Sequence, residues 1–192
     1  MTELSSTAEE ILRRTRPLIL SGGYDGFSYA DISTIVGIRK ASIHHHFPTK
    51  AQLVRILVER YRREAVEGLQ KMDEAIADPA EKLRAYTGYW QSCITSGSEP
   101  FCVCALLASQ MPALPDEVAA EVRVHFRALA TWLTSVFRDG LEQGSLHMAH
   151  DPEIEAEVFV ATVHGAMLSS RAHGDPAVFE MIVRPLVERL VK

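Results

Sequence analysis

The chain has 192 residues, 47% apolar and 23% charged, with a formal net charge of −5. That apolar share supports a real core, and no apolar run approaches the ~18 residues of a membrane span. The opening MTELSSTAEEILRR lacks the basic-then-apolar layout of a signal peptide, and three cysteines without export make no disulfide framework. A cytoplasmic protein with no membrane contact is expected.

Aromatics are few, with 7 Phe, 5 Tyr and 2 Trp, and alternating β-branched runs are scarce. The pattern predicts an all-α protein. The charge is unevenly spread. Residues 1–64 hold 10 Lys/Arg against 7 Asp/Glu, net +3, and the remainder holds 10 against 18, net −8. A basic end on an acidic body suits local phosphate contact, and so small a basic patch calls for two copies.

The first helix opens at Ser6 or Thr7, a capping hydroxyl followed by Glu9 and Glu10. Ile11, Leu12, Thr15, Leu18 and Ile19 face inward, Pro17 interrupts the period, and Gly22-Gly23 closes the helix. Tyr24 and Phe27 pack under the segment that follows. Residues 27–53 read FSYADISTIVGIRKASIHHHFPTKAQL. A helix over 29–36 meets Gly37, which reaches the positive φ of a tight turn at little cost. A second short helix starts at Arg39 or Lys40 and ends at His46, before Phe47-Pro48-Thr49-Lys50. Ile32, Val36, Ile38, Ile43 and Phe47 fix the angle between the two. Arg39, Lys40, Ser42, His44 and His45 are left outward, a set of donors that suits a DNA major groove.

Ser28, Ile32, Ser33, Gly37, Ile38, Ala41, Ser42, Ile43, His46, Phe47, Pro48, Thr49 and Lys50 resemble the helix-turn-helix pattern of TetR/AcrR-type transcriptional regulators. The detailed resemblance covers about the first 60 residues. Arg39 stands where that family usually has a Ser cap, and His44 where a phosphate-contacting Tyr is common. The resemblance implies an N-terminal three-helix helix-turn-helix head joined to a C-terminal helical ligand-binding and dimerisation bundle.

The fourth helix spans 51–76, with Leu53, Ile56, Leu57, Tyr61 and Ala65 as its stripe. Its N-terminus is a phosphate site that Thr49 and Lys50 would reinforce. Asp78-Pro79 marks a boundary, giving a DNA-binding domain over 1–50, a connecting helix over 51–77 and a body over 78–192. In the body, a helix over 80–96 carries Leu83, Tyr86, Tyr89, Trp90, Cys93 and Ile94. Residues 101–111, FCVCALLASQM, read as a short buried helix. Asp116 caps a long helix to Gln143 whose inward residues include Val122, Phe126, Leu129, Trp132 and Phe137. A helix over 153–172 carries Ile154, Val158, Phe159, Met167 and Leu168 on a wide apolar face. The last helix opens at Asp175-Pro176 and is kinked by Pro185. Ala161, Gly165, Ala166 and Ser169 permit close helix approach. These last two helices either form a four-helix homodimer interface, as in TetR-like regulators, or pack inside one chain.

The candidate DNA-binding residues are Arg39, Lys40, Ala41, Ser42, His44, His45, His46, Thr49 and Lys50. Lys40, Ala41 and Ser42 are expected near base edges, and His46 and Lys50 near phosphate; His46 has a rival role beneath Phe47. Consecutive helical histidines point ~100° apart, so His44-His45-His46 makes no metal site. The candidate pocket for an unidentified small-molecule inducer is Tyr86, Tyr89, Trp90, Cys93, Phe101, Cys102, His125, Phe126, Trp132 and Met167. Ordinary core packing is the competing reading of these aromatics. Cys102, with Cys104 and Cys93, is a candidate reactive thiol because it opens a helix.

Three functions compete. The first is a homodimeric repressor released from a palindromic operator on double-stranded DNA by a ligand, or by an electrophile or oxidant at Cys102. The second is a Cys/His hydrolase pairing Cys102 or Cys104 with His125 or His164. It has no Gly-rich phosphate loop, nucleophile elbow or HExxH behind it, so no catalytic residue, metal or cofactor is assigned. The third is a DNA-binding protein without an inducer.

Overall fold

A computed structural model describes residues 5–191. Among them are nine α-helices: α1 Ser6–Gly22, α2 Tyr29–Val36, α3 Lys40–His46, α4 Lys50–Ala75, α5 Pro79–Ser96, α6 Val103–Ala108, α7 Asp116–Gln143, α8 Pro152–His173 and α9 Ala177–Glu188. A 3-10 turn, Met111–Ala113, and one isolated bridge between Leu146 and Val191 complete the described regular structure. None of these helices is long and apolar enough to cross a membrane.

The described chain forms two compact units. One runs to Arg63 and takes in Val103–His125; the other is Glu64–Cys102 with the residues from Phe126 onward. In the first unit α1 is capped by Ser5, not Ser6 or Thr7: the Ser5 hydroxyl accepts from the Ala8 N–H at 3.3 Å. Thr15 is wholly buried because its hydroxyl donates to the Ile11 carbonyl at 2.7 Å. Pro17 sits inside α1 without ending it, and Leu18 is half-buried. Ile11, Ile19, Ile32, Ile43, Phe47 and Leu53 make a sealed core.

The buried face of α4 is Leu53, Val54, Leu57, Val58 and Tyr61. Val54 and Val58 displace the expected Ile56 and Ala65, which are half-buried. The reason is cover from two sides. Arg60 pairs with Glu9 of α1 at 2.5 Å, while Arg55 and Arg62 pair with Glu117 and Glu121 of α7 at 3.6 and 3.5 Å.

In the second unit Asp78 caps α5, accepting from the Ala80 N–H at 2.9 Å, with Pro79 in the first turn. Leu83, Leu133, Phe137, Phe159, Met167 and Phe179 are fully enclosed. The helix expected over 101–111 is only six residues long. Phe101 and Cys102 precede it. Tight bonds from the Ser109 and Gln110 N–H groups to the Leu106 and Leu107 carbonyls end it before Pro112. At the start of α7 the Pro115 carbonyl accepts from Val118 and Ala119, so Asp116 lies in the first turn and is not the cap. Ile154, Val158 and Leu168, on the wide apolar face of α8, are exposed.

Gly37 lies at φ 74, ψ 29, with no atom within 4 Å of an added Cβ. Strain without crowding is therefore expected. Gly37→Ala should cost about 1 kcal/mol, lowering the thermal midpoint by roughly 2–4 °C by calorimetry, and an unchanged midpoint would refute the strain.

Candidate nucleic-acid interface and ligand body

The helix-turn-helix is locally determined at each joint. Ser28 opens α2 through a capping box: its hydroxyl accepts from Ala30 at 3.2 Å, and Asp31 accepts from the Ser28 N–H at 2.7 Å. The Ser28 hydroxyl and N–H hold the Asp31 carboxyl below the usual carboxylate range. At the turn, the Gly37 and Ile38 N–H groups both donate to the Ser33 carbonyl, at 3.0 and 3.2 Å. The Ser33 hydroxyl donates to the Ile38 carbonyl at 2.6 Å. These three bonds close the turn on itself.

Ile43 and Phe47 have no exposed surface, so α3 is pinned by one side. Its other side presents Arg39, Lys40, Ala41, His44 and His45 to solvent, with Ser42 and His46 half-buried. Arg39 occupies the cap of α3 but makes no side-chain cap bond, which leaves its guanidinium outward. The His44 ring stands 4.7 Å from Tyr29, and its Nδ1 lies 3.3 Å from the Pro48 carbonyl. The His46 ring lies 6.5 Å from Phe47 and 5.3 Å from His45.

Thr49 and Lys50 have internal partners. The Thr49 hydroxyl accepts from the Gln52 N–H at 3.1 Å, capping α4. Lys50 Nζ donates to the Phe27 carbonyl at 2.5 Å and stands 4.3 and 4.9 Å from the Phe27 and Tyr24 ring centroids. Partial burial pulls its pKa below the usual lysine value. The ammonium is a clamp between the loop before α2 and the start of α4. Tyr29 reinforces it, donating to the Phe47 carbonyl at 2.8 Å; burial raises its phenol to about 12. This clamp needs the Tyr24, Phe27 and Lys50 contacts together, and no spacing in the sequence announces it.

In the second unit, Tyr86, Trp90, Phe101, Cys102, Trp132 and Met167 are buried. Tyr86 lies 5.7 Å from Trp132 and 6.3 Å from Phe159, ring to ring. The Trp90 indole N–H is enclosed beside the Tyr86 hydroxyl. Phe126 is half-buried, 5.3 Å from His164. Tyr89 does not belong to this set: it is 50% exposed, and its hydroxyl donates to Glu99 at 3.3 Å. His125 is in the first unit, its ring 5.6 Å from that of Tyr61. A separate groove of about 380 Å³ between α5 and α9, with Arg84, Gln91, Arg184 and Glu188 on its lining, shares no residue with the expected pocket. Its charged lining carries no motif by which the sequence could have flagged it.

No disulfide joins Cys93, Cys102 and Cys104. Cys102 is 1% exposed and Cys104 fully buried, while Cys93 is half-buried. The expected reactive thiol is therefore shielded: the segment before α6 packs inward, and access passes to Cys93.

A polar-faced second helix pinned after a glycine turn defines a helix-turn-helix DNA-binding protein. The description "Bacterial regulatory proteins, tetR family" matches residues 11–57, and "Tetracyclin repressor-like, C-terminal domain" matches residues 79–186. A TetR-family transcriptional regulator from Agrobacterium tumefaciens is 56% identical, with a TM-score of 0.96 over 97% of this chain and 98% of that one. The transcriptional regulator AcuR of Cereibacter sphaeroides is 26% identical over 175 residues, 88% of this chain and 78% of that protein. The solved regulatory protein TetR from Rhodobacter sphaeroides, 24% identical, superposes with a TM-score of 0.88 over 97% of this chain and 100% of that one. The chain belongs to the TetR family of transcriptional regulators.

Two measurements separate internal from external roles. Lys50→Met should lower head stability by about 1 kcal/mol while leaving the salt dependence of DNA binding unchanged; loss of a phosphate contact would reduce the log–log slope by ~1. For the thiols, Ellman's reagent should label Cys93 alone in the native state. Rapid labelling that survives Cys93→Ser would show that Cys102 or Cys104 is accessible.

Proposed function

We propose that the chain acts as a homodimeric repressor that leaves a palindromic operator when a small molecule enters its body. The division of labour follows the chain: a DNA-binding head over 1–50, a connecting helix over 51–77, and a ligand-binding and dimerising body over 78–192. Arg39, Lys40, Ala41, Ser42, His44 and His45 face the major groove, Lys40 and Ser42 among them nearest base edges. His46, Thr49 and Lys50 act behind them, holding the frame that presents α3.

The observation that carries the dimer is the outer face of α8. Ile154, Val158, Ala161, Gly165 and Leu168 recur at helical spacing and are all exposed. Leu168 is 58% exposed, and Met181 of α9 is 69% exposed. An apolar stripe running the length of a helix marks an interaction face. Gly165 has open space above it, which lets a second helix approach closely. A two-fold pairing would cover the same stripe on both copies and present two heads to two half-sites. The ligand reading rests on the enclosed aromatic set around Tyr86 and Trp132. Such a ligand shifts DNA affinity only as far as it prefers one state of the body over the other.

The test starts with duplexes selected from a random pool. Lys40→Ala should weaken binding by roughly 1–3 kcal/mol at constant fold. Leu168→Glu should turn a dimer into a monomer by light scattering and abolish the preference for a palindrome over a half-site. A dimer that survives Leu168→Glu would remove α8 from the interface.

A further inference from the structure

Of the three consecutive histidines that end α3, one is held differently from the others. His44 and His45 are exposed and His46 is half-buried. The His45 and His46 rings stand 5.3 Å apart, and no ring hydrogen bond fixes either one among the described residues. His44 is held on two sides. Its ring meets that of Tyr29 edge-on, 4.7 Å between centroids and 61° between planes. Its Nδ1 lies 3.3 Å from the Pro48 carbonyl. A carbonyl only accepts, so Nδ1 must carry the hydrogen. The tautomer of the neutral ring is thereby set: Nε2 holds a lone pair and no proton. Nε2 has no hydrogen-bond partner among the described residues.

A phosphate oxygen is also only an acceptor. Two acceptors do not bond, so neutral His44 offers nothing to a phosphate through Nε2. One proton from solvent changes that. It adds to the Nε2 lone pair, no bond in the protein breaks, and the ring becomes a cation with a second N–H. The neighbouring groups do not compensate that charge. On α2, Tyr29 donates to the Phe47 carbonyl, and its phenol, raised to about 12 by burial, stays neutral. Asp31, also on α2, has its carboxylate bonded to Ser28. On α3, exposed Lys40 stands one turn before His44 and adds positive charge. Lys50 of α4 keeps its ammonium on the Phe27 carbonyl. His44 makes no ion pair among the described residues, so its counter-charge has to be a bound anion.

On the regulator reading above, we propose that His44 contacts a DNA phosphate only as its imidazolium, so that each head takes up one proton on binding and holds DNA more tightly as pH falls. Phosphate favours the charged ring, so the complex keeps the proton to higher pH than the free chain does. Affinity therefore rises as pH falls through the range in which only the complex is protonated, and imidazoles as a class change charge between about pH 5 and 8. Phosphate carries no sequence information, so the gain is the same on a selected duplex and an unselected one.

The test is fluorescence anisotropy with the full chain at pH 8 and pH 6. The probes are a selected half-site and, at low salt, an unselected duplex. His44→Gln runs beside wild type, because its amide donates at either pH; His44→Tyr, whose hydroxyl also donates throughout, replaces it if the amide fails to fold. From pH 8 to pH 6 the half-site affinity of wild type should rise about tenfold more than that of the variant. Over the same range the log–log salt slope of wild type should steepen by ~0.9 more than the variant's. Equal gains in the two proteins overturn the proposal. So does a wild type that binds more tightly at pH 8, the result for a lone pair at Nε2 that accepts from a base edge. Nitrogen NMR of the free chain at pH 8 needs no DNA: His44 should carry its hydrogen on Nδ1, and a hydrogen on Nε2 overturns the proposal. Failure of the regulator reading looks different: wild type selects no sequence from a random pool. The unselected duplex then decides, on the same tenfold difference.

Discussion

α4 is held by ion pairs within each of the two units. Arg60 reaches Glu9, Arg55 and Arg62 reach Glu117 and Glu121, and Asp73 reaches Lys82. The first three, part-exposed pairs contribute ~0–1 kcal/mol each. The burial of Leu53, Leu57, Val58 and Tyr61 contributes more, about 1.5–3 kcal/mol for each large side chain. The apolar face therefore holds the helix in place.

The recognition surface depends on the same economy of partners. Lys50 and Tyr29 spend their polar atoms on the Phe27 and Phe47 carbonyls, so the frame around α3 is closed from within. Arg39, Lys40, His44 and His45 remain exposed on a helix whose other side is sealed by Ile43. Rigidity and reach are separated by residue: one set fixes α3 and another faces outward. That separation suits base reading, because a donor held by a rigid helix loses less freedom on binding than one on a loop.

The acidic body has a complementary task. The acidic excess falls in residues 65–192 while residues 1–64 are net basic, so the net charge of −5 is no obstacle to binding DNA. Its apolar surplus lies on α8, where Ile154, Val158 and Leu168 look outward while Phe159, Val163 and Met167 look into the core. A helix apolar on both sides can be covered from inside the chain and from outside it. The sequence left the choice between those two open because a stripe of apolar residues records that a face is covered without recording by what.

Read alone, the sequence determined the helices, their order and the helix-turn-helix. The turn at Gly37, the Ser28 cap and the helix from Asp116 to Gln143 are local effects of backbone preference and apolar period, and local effects are written in neighbouring residues. What it could not determine were the partners of polar groups across distant segments. Lys50 has the composition of a phosphate contact, and only the arrival of Tyr24 and Phe27 beside it makes it a clamp. Cys102 precedes a helix, as its pattern suggests, but the packing of the 97–102 segment buries it. Asp73 and Trp132 are 59 residues apart, and neither shows any sign of the other in the chain. Periodicity fixes which face of a helix turns inward; which donor meets which acceptor there is decided when the helices close on one another.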